Sequence, residues 1–439
     1  MLAWIGLGAD ALSSSCYGPE QAYLALGVDS SLALFVAATT IITIFIIGIG
    51  YNQVVDLFPS GGGGYKVATR LLNPYVGLVS GCALVVDYIL TIIVSIASGT
   101  DAIFSLFPVS WGDYKIYVEA ASIILLLMLN LRGMKEAIQV LMPIFMGFVI
   151  THFILIIYGI VAHSKGLSVV IPSSMHQSHE LVRSMGLLTV IGLTLHSYSL
   201  GAGTYTGIEA VSNNVQRLAE PRVSTAKRAM LYMTISLSFA AGGIILLYML
   251  WSVHQIPGET LNATVFHNIL GNSLFGKSAL MVTLALEAGL LFVAANTGFA
   301  DGPNVLANMA VDNWLPNRFR HLSSRLTVQN GLISFGVVAL GILFWTAGNV
   351  SFLVVLYSIN VFITFTLSLL SISVYWLRHR TTSNWFWRFL LTSFACFTTL
   401  IILCITLYYK FLATHRMGGR ANKSTNFRLY YHKLVPIYN

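Results

Sequence analysis

Long apolar runs recur along almost the whole chain, and short polar segments separate them. Most runs have close to the roughly 20 residues that a helix needs to cross the hydrocarbon core of a bilayer. The pattern predicts eleven membrane-spanning helices, at residues 2–24, 31–51, 75–105, 118–132, 137–162, 185–212, 227–252, 278–300, 328–347, 350–377 and 387–410. We therefore predict an all-α polytopic membrane protein whose transmembrane domain covers residues 1–410.

The first ten spans divide into two halves of five, residues 1–162 and 185–377, followed by an extra span at 387–410. Each half has a polar, glycine-rich interruption in its first span, at residues 6–19 and 199–209. In lipid, a backbone leaves the helical ladder only where protein or water satisfies the freed polar groups. Matching interruptions predict an inverted-repeat transporter with its site between the repeats. The alternative is that the glycines only allow close helix packing.

Composition and charge support lipid as the solvent and give an orientation. Of the 439 residues, 56% are hydrophobic and 9% are charged, whereas a soluble domain carries about 25% charged residues. The Lys and Arg residues lie in short segments between apolar runs rather than in a basic patch, so we expect no nucleic-acid partner. Fourteen of these 24 fall in alternate loops, so the positive-inside bias places those loops and the N-terminus in the cytoplasm.

The end of the chain departs from this pattern. After an eleventh span, residues 411–439 should lie outside, yet six basic residues fall at 410–433. The positive-inside bias resists that placement. Either the count of eleven spans is wrong, or a twelfth helix that would return the chain to the cytoplasm is missing. We expect residues 411–439 to be a basic tail that is non-native or disordered.

Four carboxylates lie deep in the predicted spans: Asp10, Asp87, Glu209 and Glu287. An ionisable residue inside a membrane costs several kcal/mol unless it is paired or hydrated, so each is a candidate functional group. Asp10 and Glu209 fall in the two interruptions, which packing glycines alone would not explain.

Hydroxyl groups accompany Asp87 at helical spacing. Thr91 and Ser95 follow it at intervals of four residues, so the three side chains line one stripe of the third span, and Tyr88 flanks that stripe. For Thr91 or Ser95 alone, a hydrogen bond back to the same helix would be the simpler explanation. The complete set favours a functional role.

Together with Thr206, Glu209 and Tyr357, this stripe describes an oxygen-rich cage suited to a hard monovalent cation. In amino-acid transporters of this architecture, bare N–H groups of the broken first helix bind the substrate carboxylate. Asp10 would repel such a group. The charge pattern instead favours a cation without a negative group: K⁺, Na⁺ or a polyamine.

Glu209 is the candidate for proton coupling. Low dielectric makes a carboxylate hold a proton more tightly, and a bound cation nearby opposes this, so ion occupancy would drive proton release. Glu287 is the rival for this role. We interpret His152 and His196 as packed core histidines.

Residues 59–66 contain four consecutive glycines followed by Tyr65 and Lys66, but the Gly-Lys-Ser/Thr ending of a phosphate loop is absent. We predict a tight cytoplasmic turn between spans 2 and 3. The loops contain no nucleophile–base arrangement and no metal-ligand cluster, so we expect a transporter rather than an enzyme.

At these residues the chain resembles the APC (amino acid, polyamine and organocation) superfamily, and more closely the KimA-like bacterial potassium importers, which are related to the KUP permeases. The similarity covers most of residues 1–410. It rests on five segments in order: residues 9–20, the turn at 59–65, the stripe at 87–95, residues 203–209, and residues 299–301 with 313–316, which resemble the loop after helix 8.

The resemblance implies a LeuT-type fold of 5+5 inverted repeats with broken helices 1 and 6, and proton-coupled potassium uptake by alternating access. It implies that Glu209 serves in proton coupling and that eight further residues line the ion path: Asp10, Tyr17, Asp87, Tyr88, Thr91, Ser95, Thr206 and Tyr357. It places the protein in the lipid bilayer of the bacterial inner membrane, with K⁺ and protons as transported ions and no cofactor.

Members of this family usually have a cytoplasmic segment before helix 1, a twelfth helix and, in the potassium importers, a cytoplasmic domain that supports dimerisation. We find none of these in the sequence, so a homodimer stays an open expectation. Two alternatives to potassium uptake also stay open: an APC permease for an amino acid or polyamine, and a membrane protein that does not transport.

Overall fold

The computed structural model describes residues 2–133, 138–323, 325, 327–380 and 384–418, and every regular element in these residues is helical. Nine helices in this part of the chain are long and apolar enough to cross a membrane. The α-helices are α1 Leu2–Ser13, α2 Gly18–Leu26, α3 Ala33–Leu57, α4 Gly63–Leu71, α5 Pro74–Phe104, α6 Lys115–Leu131, α7 Ile138–Ala162, α8 Ser164–Met185, α9 Leu187–Leu200, α10 Ala210–Asn213, α11 Arg222–Leu250, α12 Leu261–Leu270, α13 Leu274–Val311, α14 Gln329–Thr346, α15 Val350–Arg378 and α16 Trp385–Gly418. The prediction of an all-α polytopic membrane protein is confirmed.

The first predicted span is interrupted in its middle. Helix α1 ends at Ser13, a 3₁₀ turn follows at Ser14–Cys16, and α2 begins at Gly18. The hydroxyls of Ser13, Ser14 and Ser15 each donate to a carbonyl three residues earlier, at 2.6–2.7 Å. These bonds satisfy carbonyls that lose their helical partners at the interruption, so the serine run lets the backbone change direction inside the molecule.

The sixth predicted span is interrupted in the corresponding place. Helix α9 ends at Leu200, a 3₁₀ turn covers Gly201–Tyr205, and the short α10 begins at Ala210. Between them Gly207 has a φ of +80°, a conformation that only glycine adopts readily. Broken helices 1 and 6 were both predicted from these residues.

The turn predicted at residues 59–66 is only partly correct. The turn ends at Gly62, and Gly63 begins α4, a helix of 9 residues. Its Tyr65, Val67 and Ala68 are buried while its basic residues are not. The apolar face is too short to be detected as a membrane span, which is why the sequence pattern did not indicate a helix.

Two further helices lie in segments that were treated as connections. Helix α8 has 22 residues and α12 has 10. The search for continuous apolar runs misses both, because α8 mixes polar with apolar residues and α12 is short. The predicted tail began at residue 411, but α16 extends to Gly418; residues 419–439 lie outside the described part of the chain.

The prediction that residues 299–301 belong to a loop is wrong. These residues lie within α13, which passes through Pro303 and ends at Val311; the loop follows at 313–316. Asp301 is accommodated within the helix because it accepts hydrogen bonds from Asn214 and Arg217. A polar residue therefore occurs within this helix without marking its boundary.

The connections gather at two ends of the molecule. One end, here the basic end, carries the ion pairs Arg217–Asp301 and Lys227–Asp56, and Arg378 donates to the carbonyl of Leu71 there. At the other, the opposite end, the amide of Thr260 donates to the Ser105 hydroxyl at 3.0 Å. The interruptions lie between these ends.

Candidate functional site

The two helix interruptions are in direct contact. The single hydroxyl hydrogen of Ser14 is shared between the carbonyls of Ala11 and Thr204, whose oxygens each lie 2.6 Å from Oγ. A Cβ atom added to Gly18 would overlap Oγ1 of Thr204, and one added to Gly207 would lie 2.6 Å from the amide nitrogen of Ala11. The glycines therefore bring the two backbones together, and the freed polar groups of both helices face one region.

Three carboxylates surround this region. Asp10, Asp87 and Glu209 are 5%, 1% and 4% exposed, and they lie close enough for their charges to interact. Oδ1 of Asp87 and Oε2 of Glu209 have no hydrogen-bond partner among the described residues. Within that part of the chain no ion pair joins these carboxylates to a basic side chain. Oxygen acceptors that face one another without a compensating charge fit a bound cation.

Hydroxyl groups from four helical segments complete the cage. Tyr17 and Thr206 are hydrogen-bonded across the two interruptions at 3.0 Å, and Thr91 on α5 is hydrogen-bonded to Tyr357 on α15 at 2.7 Å. Thr91 also contacts the carbonyl of Asp87, at 3.0 Å. Thr91 therefore makes both contacts at once, one with its own helix and one with Tyr357 across the cage. Ser95 is buried one turn further along α5.

Two of the candidates lie away from the centre of the cage. The hydroxyl of Tyr88 accepts a hydrogen bond from Asn213 at 2.8 Å, just after the second interruption, so its polar end points toward the basic end. Glu287 lies toward the opposite end, where its Oε1 accepts a hydrogen bond from Asn262 at 2.8 Å. The structure therefore separates Glu287 from Glu209.

Three hydroxyl residues near the cage were not predicted. Tyr51 lies close enough to Glu209 to feel its charge and to hydrogen-bond with Ser368, and the buried hydroxyl of Ser80 has no hydrogen-bond partner among the described residues. Helical spacing would have found two of them, because Ser80 lies two turns before Asp87 and Ser368 three turns after Tyr357. These residues extend the polar path toward the basic end.

The basic end is closed by polar contacts. Asp301 accepts hydrogen bonds from Asn214 at 2.7 Å and from Arg217 at 2.8 Å, which ties α13 to the segment after the second interruption. The hydroxyl of Tyr65 on α4 donates to Asp312 at 2.5 Å. Burial and the neighbouring carboxylate raise the pKa of Tyr65, so it stays protonated and remains a donor.

Comparison with known sequences identifies relatives of this chain. Residues 4–435 match the family described as Amino acid permease. The chain is 31% identical over 410 residues to the potassium transporter KimA of Bacillus subtilis (strain 168), and the match covers 92% of this chain and 66% of that protein. The chain thus spans just under two thirds of the relative's length.

Solved structures share the fold at low sequence identity. A mutant of the manganese transporter of Eremococcus coleocola matches over 99% of this chain and 91% of its own, with a TM-score of 0.56 and 12% identity. MhsT in complex with L-phenylalanine matches over 91% of this chain and 98% of its own, with a TM-score of 0.56 and 15% identity. These neighbours confirm the LeuT-type fold, and the relatives are transporters rather than enzymes. The chain therefore belongs to the amino acid permease family, a family of multi-pass membrane transporters.

Proposed function

We propose that the protein takes up K⁺ in symport with protons by alternating access. The observation that carries the proposal is the cage of three buried carboxylates, two of which have an oxygen without a hydrogen-bond partner among the described residues. Such oxygens replace the hydration shell of a cation. The 31% identity to a potassium transporter supports K⁺ as that cation.

The position of Asp10 supports a cation over an amino acid. It lies on α1, one turn before the interruption, where an amino-acid carboxylate would meet the freed N–H groups. The buried charges of Asp10 and Asp87 would repel that carboxylate in a low-dielectric cavity. A bare cation encounters only attraction.

Glu209 is proposed to couple the proton to the ion. It follows the second interruption directly, and its charge interacts with those of Asp10 and Asp87. With K⁺ absent, a proton on Glu209 relieves this repulsion. When K⁺ binds beside the protonated Glu209, its charge weakens the hold of the carboxyl on the proton, and the proton leaves into the cytoplasm once the site opens at the basic end, so both ions move inward.

An organic substrate is the second candidate. The family description and the fold shared with MhsT support an amino acid or polyamine permease. The carboxylates would attract every ammonium group of a polyamine, whereas in an amino acid they would attract the ammonium group and repel the carboxylate. Inhibition of uptake by spermidine or by amino acids, tested beside inhibition by K⁺, separates these substrates.

The orientation and setting are proposed on the same grounds. Basic residues such as Arg217, Lys227 and Arg378 gather at one end, which the positive-inside bias places in the cytoplasm together with the N-terminus. The lipid bilayer is proposed to be the bacterial inner membrane. We expect no cofactor and no nucleic-acid partner, and a homodimer remains part of this proposal.

The test is ⁸⁶Rb⁺ uptake in cells that lack their own potassium importers. We expect an inward proton gradient to stimulate uptake, and Asp87→Asn to reduce it at least tenfold at matched membrane expression. Asp113→Asn makes the same chemical change at an exposed position and should leave uptake unchanged. Absence of uptake by the well-inserted chain would contradict the potassium proposal.

A further inference from the structure

A buried acid–base pair lies outside the cage, between α7 and α13. Oε2 of Glu287 is 3.8 Å from Nε2 of His152, and the two residues are 1% and 2% exposed. Neither atom has a hydrogen-bond partner among the described residues. A buried polar atom without a partner destabilises the fold, so two such atoms facing each other call for a physical reason.

The second nitrogen of the imidazole determines where its hydrogen lies. Nδ1 of His152 is 3.0 Å from the carbonyl oxygen of Phe148, which can only accept. We infer from this contact that Nδ1 carries the hydrogen in the neutral ring, so Nε2 bears a lone pair. That lone pair faces a carboxylate oxygen of Glu287. Two acceptors therefore oppose each other in the interior.

One proton satisfies both atoms. Added to Nε2, it makes the imidazole a donor to the carboxylate; added to Oε2, it makes the carboxyl a donor to the imidazole. Either form is a strong hydrogen bond, and the contact would shorten from 3.8 Å to hydrogen-bonding distance. The pair also changes from a net negative charge to neutral, which a low-dielectric interior favours.

The other ionisable groups around Glu287 do not supply this positive charge. Cys16 at the first interruption, Glu20 on α2 and Tyr248 on α11 lie close enough to interact with it electrostatically, and the Cys16 thiol is also a weak hydrogen-bond donor to Glu287. A thiol and a phenol are neutral in their ordinary protonated forms, and Glu20 adds a further acidic group. None of the three neutralises Glu287.

Lys115 is the cation that interacts with this region, and other acids already engage it. It forms an ion pair with Asp101 and lies 3.7 Å from Glu119. Its charge reaches Glu20 as well. With two partners of its own, Lys115 leaves the His152–Glu287 pair without a counter-charge among the residues that the structure describes.

Asn262 connects the pair to the transport machinery. Its Nδ2 donates to Oε1 of Glu287 at 2.8 Å and to the carbonyl of Cys16 at 3.3 Å, and its Oδ1 accepts from the hydroxyl of Tyr248. One amide therefore joins α11, α12, α13 and the first helix interruption. Cys16 directly precedes Tyr17, a member of the cage.

The geometry points to a second proton-binding site, formed by His152 and Glu287, that takes a proton from the opposite end and stabilises the arrangement of α12 and the first interruption seen here. This inference rests on the proposed function and adds a proton site separate from Glu209. Only an N–H or O–H bond forms; the proton comes from water and returns to water when the pair separates. Because the proton favours this arrangement, transport and proton binding are linked.

The experiment uses the full chain in liposomes and compares two modes of transport. One is ⁸⁶Rb⁺ exchange against internal K⁺ at equal pH, which needs no net proton movement. The other is net ⁸⁶Rb⁺ uptake driven by an inward proton gradient. We expect Glu287→Gln and His152→Gln to keep at least half of the wild-type exchange rate. We expect the rate of gradient-driven uptake to fall at least tenfold in both variants.

The control is Glu119→Gln, which neutralises an equally buried glutamate on α6 that lies beside Lys115. It should keep both modes. Unchanged gradient-driven uptake in folded Glu287→Gln would overturn the inference, and so would loss of both modes in equal proportion, which would indicate a structural role. A wild-type chain that neither exchanges nor accumulates ⁸⁶Rb⁺ would instead contradict the proposed function.

A second readout does not depend on transport. Infrared difference spectra of the protein in nanodiscs, recorded between alkaline and acidic pH, report protonation of carboxyl and imidazole groups. We expect Glu287→Gln or His152→Gln to remove one protonation band of the wild type, and Glu119→Gln to leave that band in place. If both variants of the pair retain every wild-type band, the site does not bind a proton.

Discussion

The hydroxyls of Thr91 and Tyr357 lie 2.7 Å apart, although 266 positions separate them in the sequence. They belong to α5 and α15, one from each half of the repeat, and both residues are buried. A hydrogen bond across the cage fixes the relative position of two oxygens that we propose as cation ligands. It also makes the two residues testable as a pair.

The first prediction concerns this pair. Thr91→Val and Tyr357→Phe should each weaken ⁸⁶Rb⁺ binding by about 1 kcal/mol, roughly fivefold, because each removes a hydrogen bond and a ligand. The double variant should be weaker by less than the sum, since the second change removes an interaction that is already lost. The measurement is the KM for ⁸⁶Rb⁺ uptake. Thr346→Val, on α14, combined with Tyr357→Phe should be additive.

The second prediction concerns Gly207. Gly207→Ala should be destabilised for two reasons. The backbone at this position has a φ of +80°, and the added Cβ would lie only 2.6 Å from the nitrogen of Ala11. The left-handed backbone alone costs about 1–2 kcal/mol for an L-residue. We expect a lower melting temperature in detergent and a large loss of uptake. Gly6→Ala, which meets no atom within 4 Å, is the matched control and should melt like the wild type.

The third prediction concerns Tyr17. Tyr17→Phe removes the contact with Thr206 at 3.0 Å and leaves the ring in place. We expect a higher KM for ⁸⁶Rb⁺ with a change in folding free energy of no more than about 1 kcal/mol. Tyr114→Phe, at an exposed position, should change neither quantity. An unaltered KM for Tyr17→Phe would remove Tyr17 from the set of ligands.

The fourth prediction concerns closure at the basic end. Asp301→Asn removes the ion pair with Arg217 and weakens the bond from Asn214, so the population should shift toward a state open at that end. A cysteine introduced by Ser80→Cys reports this opening, since Ser80 is fully buried here. We expect faster labelling of this cysteine by a water-soluble maleimide applied from the basic end.

The control for that experiment is Glu220→Gln, an exposed carboxylate at the same end that pairs with Arg222. It should leave the labelling rate of the introduced cysteine unchanged. Equal labelling in the Asp301→Asn background would show that the contacts of Asp301 do not hold this end closed.

Sequence patterns predicted the parts of the fold that depend on single segments. A serine run, glycine-rich segments and carboxylates within apolar spans each have a local physical meaning, so the interruptions around Ser14 and Gly207 could be identified before the fold was known. The amphipathic α8 and the short α12 could not be found in this way. Their stability comes from packing against the bundle rather than from an apolar run.

The candidate site was harder to predict where partners come from distant segments. Helical spacing placed Asp87 and Thr91 on one stripe, yet it could not reveal that Tyr88 bonds to Asn213. For the same reason His152 was interpreted only as a packed residue. It is packed, against the ring of Phe148, but its other nitrogen also faces Glu287. A side chain that serves both purposes is recognised only when both neighbours are seen.

The close approach of Gly18 to Thr204 has a consequence for how such a protein changes over evolutionary time. The space that a side chain on Gly18 would need is occupied by Oγ1 of Thr204 from the other half. A smaller residue at position 204 would not make room for a Cβ at position 18, because the backbone N and Cα of Thr204 would still lie 2.7 and 2.8 Å from it. Position 18 is thus restricted to glycine by the backbone of the other half, at the contact where the transported ion is proposed to pass.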